Sequence, residues 1–244
     1  MERSLLVLDE KTSPWFSFLE EFFEDTPAKI LKIYEAREVS LGLDPNYQDI
    51  LFANPALLSP ALIQKIRSFR AGEPRFRAFQ IGKAVTTLPK DLFDTAFEES
   101  GSFTEFQRGL VEHLPLPEKL HLLVVDNEPE IGNMIREFLE RRVHPSFQVD
   151  YASNGEIGLQ KMREAKPDVV ILDIKMPVKD GREVYQEMVD KKMQIPAIIF
   201  FDAISGEEIS EIRRIGKPAI VEKGSRQSHL AELVALIKKK AYFG

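Results

Sequence analysis

The segment from residue 168 to residue 177 restricts the fold of this chain most strongly. It reads Asp-Val-Val-Ile-Leu-Asp-Ile-Lys-Met-Pro, so four apolar residues, three of them β-branched, stand between two acids. A short apolar run without helical spacing is typical of a strand buried on both faces of a parallel sheet. The strand ends at Asp173. Open α/β sheets bind ligands beyond the carboxyl ends of their strands, so we expect chemistry at Asp173.

Two further apolar runs also end at charged residues. Residues 122–125 precede Asp126, and residues 219–222 precede Lys223. Because parallel strands end at the same edge of a sheet, we expect these two side chains to lie near Asp173. Two acids and a lysine in one crevice have the chemistry to hold a divalent metal ion and a phosphoryl group.

Predicted strands and amphipathic helices alternate throughout the second half of the chain. Residues 131–139, for example, carry apolar side chains at helical spacing, and residues 147–152 follow as a strand. Five strands alternate with five helices in this way. The pattern predicts a doubly wound, flavodoxin-like parallel sheet, with right-handed crossovers between its strands.

The first half repeats part of this pattern. An apolar run ends at Asp9 and a second one ends at Asn54; Asp126 follows Asp9 by 117 residues, and Asp173 follows Asn54 by 119. The shared order and similar offsets favour an internal duplication over a chance match of short apolar runs. Asn54 would then occupy the position of Asp173, where an amide cannot form the acyl phosphate that a carboxylate forms.

The later part of the first half departs from the repeat. Residues 89–99 and 103–113 read as helices, and no strand ending in lysine is found. We therefore expect two doubly wound, flavodoxin-like domains in tandem, each built on a five-stranded parallel sheet. The first, in residues 1–113, is expected to be degenerate, with its second half shortened or rebuilt. Residues 114–119 contain two prolines two positions apart, which predicts a stiff linker before a second domain at residues 120–244.

Composition excludes several classes of function. The chain has no cysteine, which rules out disulfides, thiolate zinc sites and thiol nucleophiles. A net charge of −6 argues against a broad nucleic-acid surface. The longest apolar runs fall far short of the ~20 residues of a membrane helix, and the opening residues do not resemble a signal peptide. We expect a cytoplasmic protein without nucleic-acid or membrane partners.

Residues 120–240 resemble the receiver domain of bacterial response regulators. Residues 122–129 look like the first strand and acidic pocket of that family. Residues 173–181 match its phosphoacceptor signature at the acid, at Met-Pro and at Asp-Gly, and Lys223 falls at its invariant lysine. Three motifs in the right order on the right elements make the resemblance specific.

The resemblance implies a two-component signalling protein. Asp173 would accept a phosphoryl group from a histidine kinase or a histidine phosphotransfer protein, and Lys223 would pair with a phosphoryl oxygen. Mg²⁺ would be held by Asp126, Asn127, Asp173 and the backbone carbonyl of Lys175, with waters. The protein would not be an enzyme beyond Mg²⁺-dependent self-phosphorylation and autodephosphorylation. The first half would be a pseudo-receiver.

Three positions depart from the family. Asn127 replaces a second acid, which predicts weaker metal binding. Phe201, followed by Asp202, stands where the family has a hydroxyl that bonds the phosphoryl group. Ile220 replaces the aromatic residue that commonly swings inward on activation. The usual switch between hydroxyl and aromatic residue is therefore expected to be absent.

Several functions fit this pattern. The first hypothesis is a response regulator whose output is contact with a downstream protein, or with a second copy of the chain. Ile209, Ile212 and Leu230 are candidates for such an interface, with core packing as the alternative. The second hypothesis is a phosphorylation-independent signalling scaffold. A phosphohydrolase is the third, although Lys175 stands where such enzymes usually have a second acid.

Overall fold

The computed structural model describes residues 4–35, 39, 49–83, 85, 87–98, 101–141, 144–223 and 227–244. The chain divides into two units between Pro115 and Leu116. This point falls within the linker predicted at residues 114–119, although the first strand of the second unit already begins at Lys119.

The first unit contains a parallel sheet of five strands in the order β2-β1-β3-β4-β5. The strands are β1 (Ser4–Leu8), β2 (Lys29–Ile33), β3 (Ile50–Ala53), β4 (Arg77–Ile81) and β5 (Thr95–Phe97). The helices described in this unit are α1 (Pro14–Phe22), α2 (Pro60–Gly72) and α3 (Phe103–His113), with a short 3₁₀ helix at Pro55–Leu57. The sequence pattern did not predict β2.

Aromatic side chains fix α1 and α3 of the first unit against its sheet. The Phe106 ring of α3 lies 5.0 Å from Phe18 and 4.9 Å from Phe22 of α1, measured between ring centroids. The same ring lies 4.4 Å from Phe97 of β5. The two pairs with α1 are edge-to-face, an arrangement that is favourable beyond the apolar area that it buries. These aromatic residues therefore form the core on one face of the sheet.

The helix predicted at residues 89–99 is wrong. Thr95–Phe97 form the edge strand β5, in which Thr95 pairs with Phe79 of β4. Asp94 directs the chain there, because its carboxylate accepts a hydrogen bond from Ala78 N at 2.8 Å and pairs with Arg70 at 2.8 Å. The first sheet is therefore complete rather than shortened, although the described residues between β4 and β5 form turns and no helix.

The second unit contains another parallel sheet, in the order β10-β9-β8-β6-β7. Its strands are β6 (Lys119–Val125), β7 (Ser146–Ala152), β8 (Val169–Leu172), β9 (Ala197–Phe201) and β10 (Ala219–Glu222). Its helices are α4 (Pro129–Glu140), α5 (Gly155–Ala165), α6 (Gly181–Asp190), α7 (Gly206–Ile215) and α8 (Gln227–Phe243). Two tandem five-stranded, flavodoxin-like sheets confirm the predicted fold class.

The apolar residues of β8 pack on both faces of the second sheet. Successive side chains of a strand point to opposite faces. Val170 packs in one buried cluster with α5, α6 and α7, whereas Val169 packs in the other with α4 and α8. All four residues of β8 are buried, which explains why its sequence lacks the alternation of apolar and polar residues that is typical of a strand with one solvent-exposed face.

Two of the three candidate interface residues belong to the core. Ile212 is fully buried in the cluster beneath α7, and Leu230 is also buried, whereas Ile209 is half-buried. Core packing is therefore the correct interpretation for the first two. Among the described residues, no helix combines the length and apolar character needed to cross a membrane.

Candidate functional site

Asp126 and Asp173 stand at the ends of adjacent strands, β6 and β8. The Asp173 N–H donates to Val125 O at 2.9 Å, and the Asp126 N–H donates to Ala152 O at 3.0 Å, so the sheet hydrogen bonds continue to both acids. Asp126 is 1% exposed and Asp173 is 5% exposed. Continued strand pairing thus holds two carboxylates at one edge of the sheet, beneath its surface.

Lys223 joins the two acids. Its Nζ lies 2.9 Å from Asp126 Oδ2 and 3.0 Å from Asp173 Oδ1, and the side chain is 4% exposed. The Lys223 N–H donates to Phe201 O at 2.5 Å, which places the residue just beyond β10 at the same edge. The structure thus brings together the three residues that the sequence singles out. Their chemical roles remain predictions.

Burial and pairing act in opposite directions on these charges. Burial disfavours the ammonium of Lys223, but its hydrogen bonds to Asp126 and Asp173 outweigh burial and raise the pKa of Lys223 above its ordinary value. Burial raises the pKa of Asp126, and the hydrogen bond from Glu128 N at 2.9 Å and the pairing with Lys223 do not fully offset it. One ammonium therefore compensates the neighbouring carboxylates only in part.

The predicted switch positions have separate surroundings. Phe201 is half-buried and packs on the apolar cluster that contains Ile199 and Ile212, as does Ile220. Asp202 turns towards the site: its Oδ2 lies 3.5 Å from Lys223 Nζ, while its side chain is 67% exposed. The sequence alone could not show that Asp202, rather than Phe201, faces the lysine.

The donor set fits a hard cation such as Mg²⁺ in chemical type. Asp126 and Asp173 offer carboxylate oxygens at one edge, and Mg²⁺ prefers oxygen ligands and retains several waters. The side chains of Asn127 and Lys175 are exposed. Within the described residues, no group of three or more acids and histidines has the arrangement of a metal site. The contributions of Asn127 and Lys175 therefore remain predictions.

The turn after Asp173 depends on Gly181. A Cβ at this position would lie 2.0 Å from Asp173 O, so a larger residue would displace the backbone of the acid. The Gly181 N–H donates to Ile174 O at 2.9 Å and closes the turn. Within the turn, Val178 has a φ of 72° and is 78% exposed. The Asp-Gly pair in the signature thus has a packing role that spacing alone does not reveal.

The first unit has a different arrangement at the corresponding edge. The Asn54 N–H donates to Leu8 O at 2.9 Å, as Asp173 does to Val125 O in the second unit. Asn54 Nδ2 donates to Asp9 Oδ1 at 2.8 Å, and Ser13 Oγ donates to Asp9 Oδ2 at 2.5 Å. Amide and hydroxyl groups therefore satisfy the buried acid, where the second unit uses an ammonium.

Comparison with known proteins identifies a family for the second unit. Residues 122–235 match the response regulator receiver domain. The alkaline phosphatase synthesis transcriptional regulatory protein PhoP of Bacillus subtilis is 33% identical over 103 residues, 40% of this chain and 42% of that protein. The protein-glutamate methylesterase/protein-glutamine glutaminase of Bacillus licheniformis is 42% identical over 69 residues, 28% of this chain and 19% of that protein.

One solved structure aligns with nearly the whole chain. It is described as a two-component system response regulator/GGDEF domain protein, and it covers 98% of this chain and 99% of its own, with a TM-score of 0.47 and 12% identity. The first three curated relatives are matched over 42%, 52% and 36% of their lengths, so this chain spans about half of them or less.

Proposed function

Residues 122–235 form a response regulator receiver domain, and from that premise we propose that this protein is a two-component response regulator phosphorylated on Asp173. A histidine kinase or histidine phosphotransfer protein supplies the phosphoryl group, and the output is contact with a downstream protein. The observation that carries the proposal is the position of Lys223 Nζ, within 3.0 Å of both buried acids at the edge of the sheet.

The geometry suits nucleophilic attack by a carboxylate. Asp173 Oδ1 pairs with Lys223, and no hydrogen bond among the described residues involves Oδ2, which is therefore the attacking oxygen. A new O–P bond forms as the P–N bond of the phosphohistidine breaks, and the imidazole, which is protonated on its other ring nitrogen, leaves as a neutral ring with the electron pair of the broken bond. Lys223 then offers positive charge to the phosphoryl oxygens.

Asp126 and Asp173 would hold Mg²⁺, with Asn127 and the Lys175 carbonyl as further ligands. When bound, the metal ion would offset the repulsion between the acids and the phosphoryl group. Asn127 contributes an amide oxygen in place of a carboxylate, so we expect weak metal binding. This assignment is supported by the oxygen-rich donor set at one edge of the sheet.

We place the protein in the cytoplasm and assign it a signalling role. Its own chemistry would extend at most to Mg²⁺-dependent self-phosphorylation and autodephosphorylation. The first unit acts as an unphosphorylated pseudo-receiver, because Asn54 stands at the acceptor position and its amide is occupied by Asp9. A second copy of the chain is an alternative partner.

A phosphorylation-independent scaffold is the second candidate function. The observation that favours it is Asp202, whose carboxylate lies 3.5 Å from Lys223 Nζ, near where phosphoryl oxygens would need to bind. In that case Lys223 would serve only to neutralise the buried acids, and the receiver fold would act through its surface alone.

The test is incubation of the full chain with acetyl phosphate and Mg²⁺, followed by intact-mass measurement. We expect one labile phosphoryl group on the wild type and none on Asp173→Asn. Asp168→Asn is the matched control, because Asp168 precedes the same strand at its opposite end, and it should still be phosphorylated. No adduct at saturating donor would favour the scaffold, and turnover of unrelated phosphate esters would favour a phosphohydrolase.

A further inference from the structure

Three carboxylates share one ammonium at the edge of the second sheet. Lys223 Nζ lies 2.9 Å from Asp126, 3.0 Å from Asp173 and 3.5 Å from Asp202. A lysine ammonium has three N–H donors and no acceptor. Each of the three donors therefore already has a carboxylate within reach, and three negative charges face one positive charge.

The three acidic residues differ in burial and in their distance from Lys223. The side chains of Asp126 and Asp173 are 2% and 6% exposed, and the sheet hydrogen bonds fix their backbones. Asp202 is 67% exposed, lies farthest from the ammonium, and follows β9 in the turn that leads to α7. An ion pair at this distance is weak when one partner is as exposed to solvent as Asp202. Asp202 is therefore the partner that an incoming anion displaces most readily.

We propose that Asp202 competes with the phosphoryl group for Lys223 and is released when Asp173 is phosphorylated. The inference depends on the proposed function, since it concerns the same site. A phosphoryl group carries roughly −1.5 to −2 charges and strong acceptor oxygens. It requires the third donor of Lys223, and it repels the Asp202 carboxylate, so the same event removes the attraction and adds a repulsion.

The expected movement is confined to a short segment. Ile204 packs against the apolar cluster beneath α6 and α7, and Ser205 caps α7 through a hydrogen bond from Glu208 N at 3.2 Å. These contacts hold the end of the turn in place. Release of Asp202 therefore changes the surface at Asp202 and Ala203 while α7 remains capped, and this surface reports the state of Asp173.

The test uses the full chain with Mg²⁺ and beryllium fluoride, a phosphoryl mimic that binds carboxylates, followed by fluorine NMR. Asp202→Asn keeps the size of the side chain and removes its charge, so we expect beryllium fluoride to bind about fivefold more tightly, equivalent to about 1 kcal/mol. Glu222→Gln is the matched control. The Glu222 side chain is exposed at the same edge of the sheet, and no described ion pair joins it to Lys223. The Glu222→Gln variant should therefore bind beryllium fluoride with the affinity of the wild type.

Hydrogen exchange provides the second measurement. Peptides that cover residues 202–204 should exchange faster in the wild type when beryllium fluoride binds, and should not respond in Asp202→Asn, where the contact is already lost. Asp202→Ser is a second variant with the same expected result. Circular dichroism verifies that both variants are folded.

Each remaining outcome counts against the inference. Equal affinities for wild type and Asp202→Asn, with no change in exchange at residues 202–204, would overturn it while leaving phosphorylation of Asp173 intact. Failure of the wild type both to bind beryllium fluoride and to accept phosphate from acetyl phosphate would instead reject the proposed function, and this inference with it.

Discussion

At the scale of single residues, Lys223 controls the charge balance of the second unit. Removal of one member of a buried ion pair leaves its partner buried without compensation, which typically costs about 3–5 kcal/mol. We predict that Lys223→Met lowers the free energy of unfolding by about 3 kcal/mol at neutral pH, as measured by urea unfolding. Asp126→Asn in the same chain should restore part of the loss, because it removes one of the acids left unpaired.

The control for this prediction is Lys217→Met. Lys217 is an exposed lysine just before β10, and no described ion pair involves it. Its substitution should change the free energy of unfolding by less than about 0.5 kcal/mol. Equal stability of the two variants would show that Lys223 does not compensate the buried acids.

Val178 is strained for a β-branched residue. Its φ of 72° lies in the left-handed region, which glycine adopts without steric cost, and its side chain is 78% exposed. We predict that Val178→Gly raises the free energy of unfolding by about 1 kcal/mol. Val189→Gly should have the opposite sign, because Val189 lies within α6 and glycine weakens helices by about 1 kcal/mol. Thermal unfolding of the two variants and the wild type shows whether the two changes in the free energy of unfolding have opposite signs.

The sequence predicted which residues would meet but not how each side chain would point. Strand ends alone were sufficient to place Asp126, Asp173 and Lys223 at one edge. The orientation of Asp202 depends on the turn between β9 and α7, in which no period relates position to direction. The close approach of Gly181 to Asp173 O likewise depends on the folded turn.

At the scale of elements, Glu187 connects α6 to the turn after β8. Its carboxylate accepts hydrogen bonds from Lys179 in that turn and from Lys191 just beyond the helix. The bond from Lys179, followed by that from Lys191, lowers the pKa of Glu187 to about 2 from the ordinary 4.5. The ionised acid therefore stabilises the fold above pH 4.5, and the contribution disappears as the pH falls from 4.5 towards 2.

We predict that Glu187→Gln costs about 1 kcal/mol at neutral pH, a small value because solvent screens surface pairs. The difference from wild type should shrink below pH 4.5 and be lost near pH 2. Urea unfolding across this range measures it. The control is Glu137→Gln, which changes an exposed acid on α4 and should alter the free energy of unfolding at neutral pH by less than about 0.5 kcal/mol. A constant difference for Glu187→Gln would contradict the lowered pKa.

Elements with strong periodicity were predicted correctly, and elements fixed by distant contacts were not. Helix α3 at Phe103–His113 coincides with its predicted range. The sequence pattern predicts a helix where strand β5 forms, because the contacts that anchor Asp94 are made by Ala78 and Arg70, which are distant in sequence. A local pattern carries no information about such contacts.

At the scale of the whole molecule, the two sheets carry different residues at corresponding strand ends, Asn54 in the first and Asp173 in the second. Asn54→Asp would place two carboxylates side by side, since Asn54 Nδ2 now donates to Asp9 Oδ1 at 2.8 Å, and no described lysine pairs with Asp9. We predict a loss of about 2 kcal/mol in the free energy of unfolding. After treatment with acetyl phosphate, intact mass should still show a single phosphoryl group. Two groups would mean that the first unit needs only an acid to become an acceptor.

The repeated strand pattern in the sequence predicts the tandem architecture. The two sheets indeed have the same strand order when the strands are counted from the first strand of each unit. Short repeats could not show that the first sheet is complete, because its last strand lacks the lysine that marks β10. The family of the first unit remains a prediction, since the family match covers residues 122–235.

The hydrogen bond between Asn54 and Asp9 has a practical consequence for measurements on this protein. Under the proposed function, the neutral amide of Asn54 gives the first unit no carboxylate to react with a phosphate donor. The first unit nevertheless experiences the same buffer, metal ion and temperature as the second. The chain thus contains its own reference. Spectral changes that occur equally in both halves would reflect solution conditions, and changes confined to the second half would reflect the chemistry proposed at Asp173.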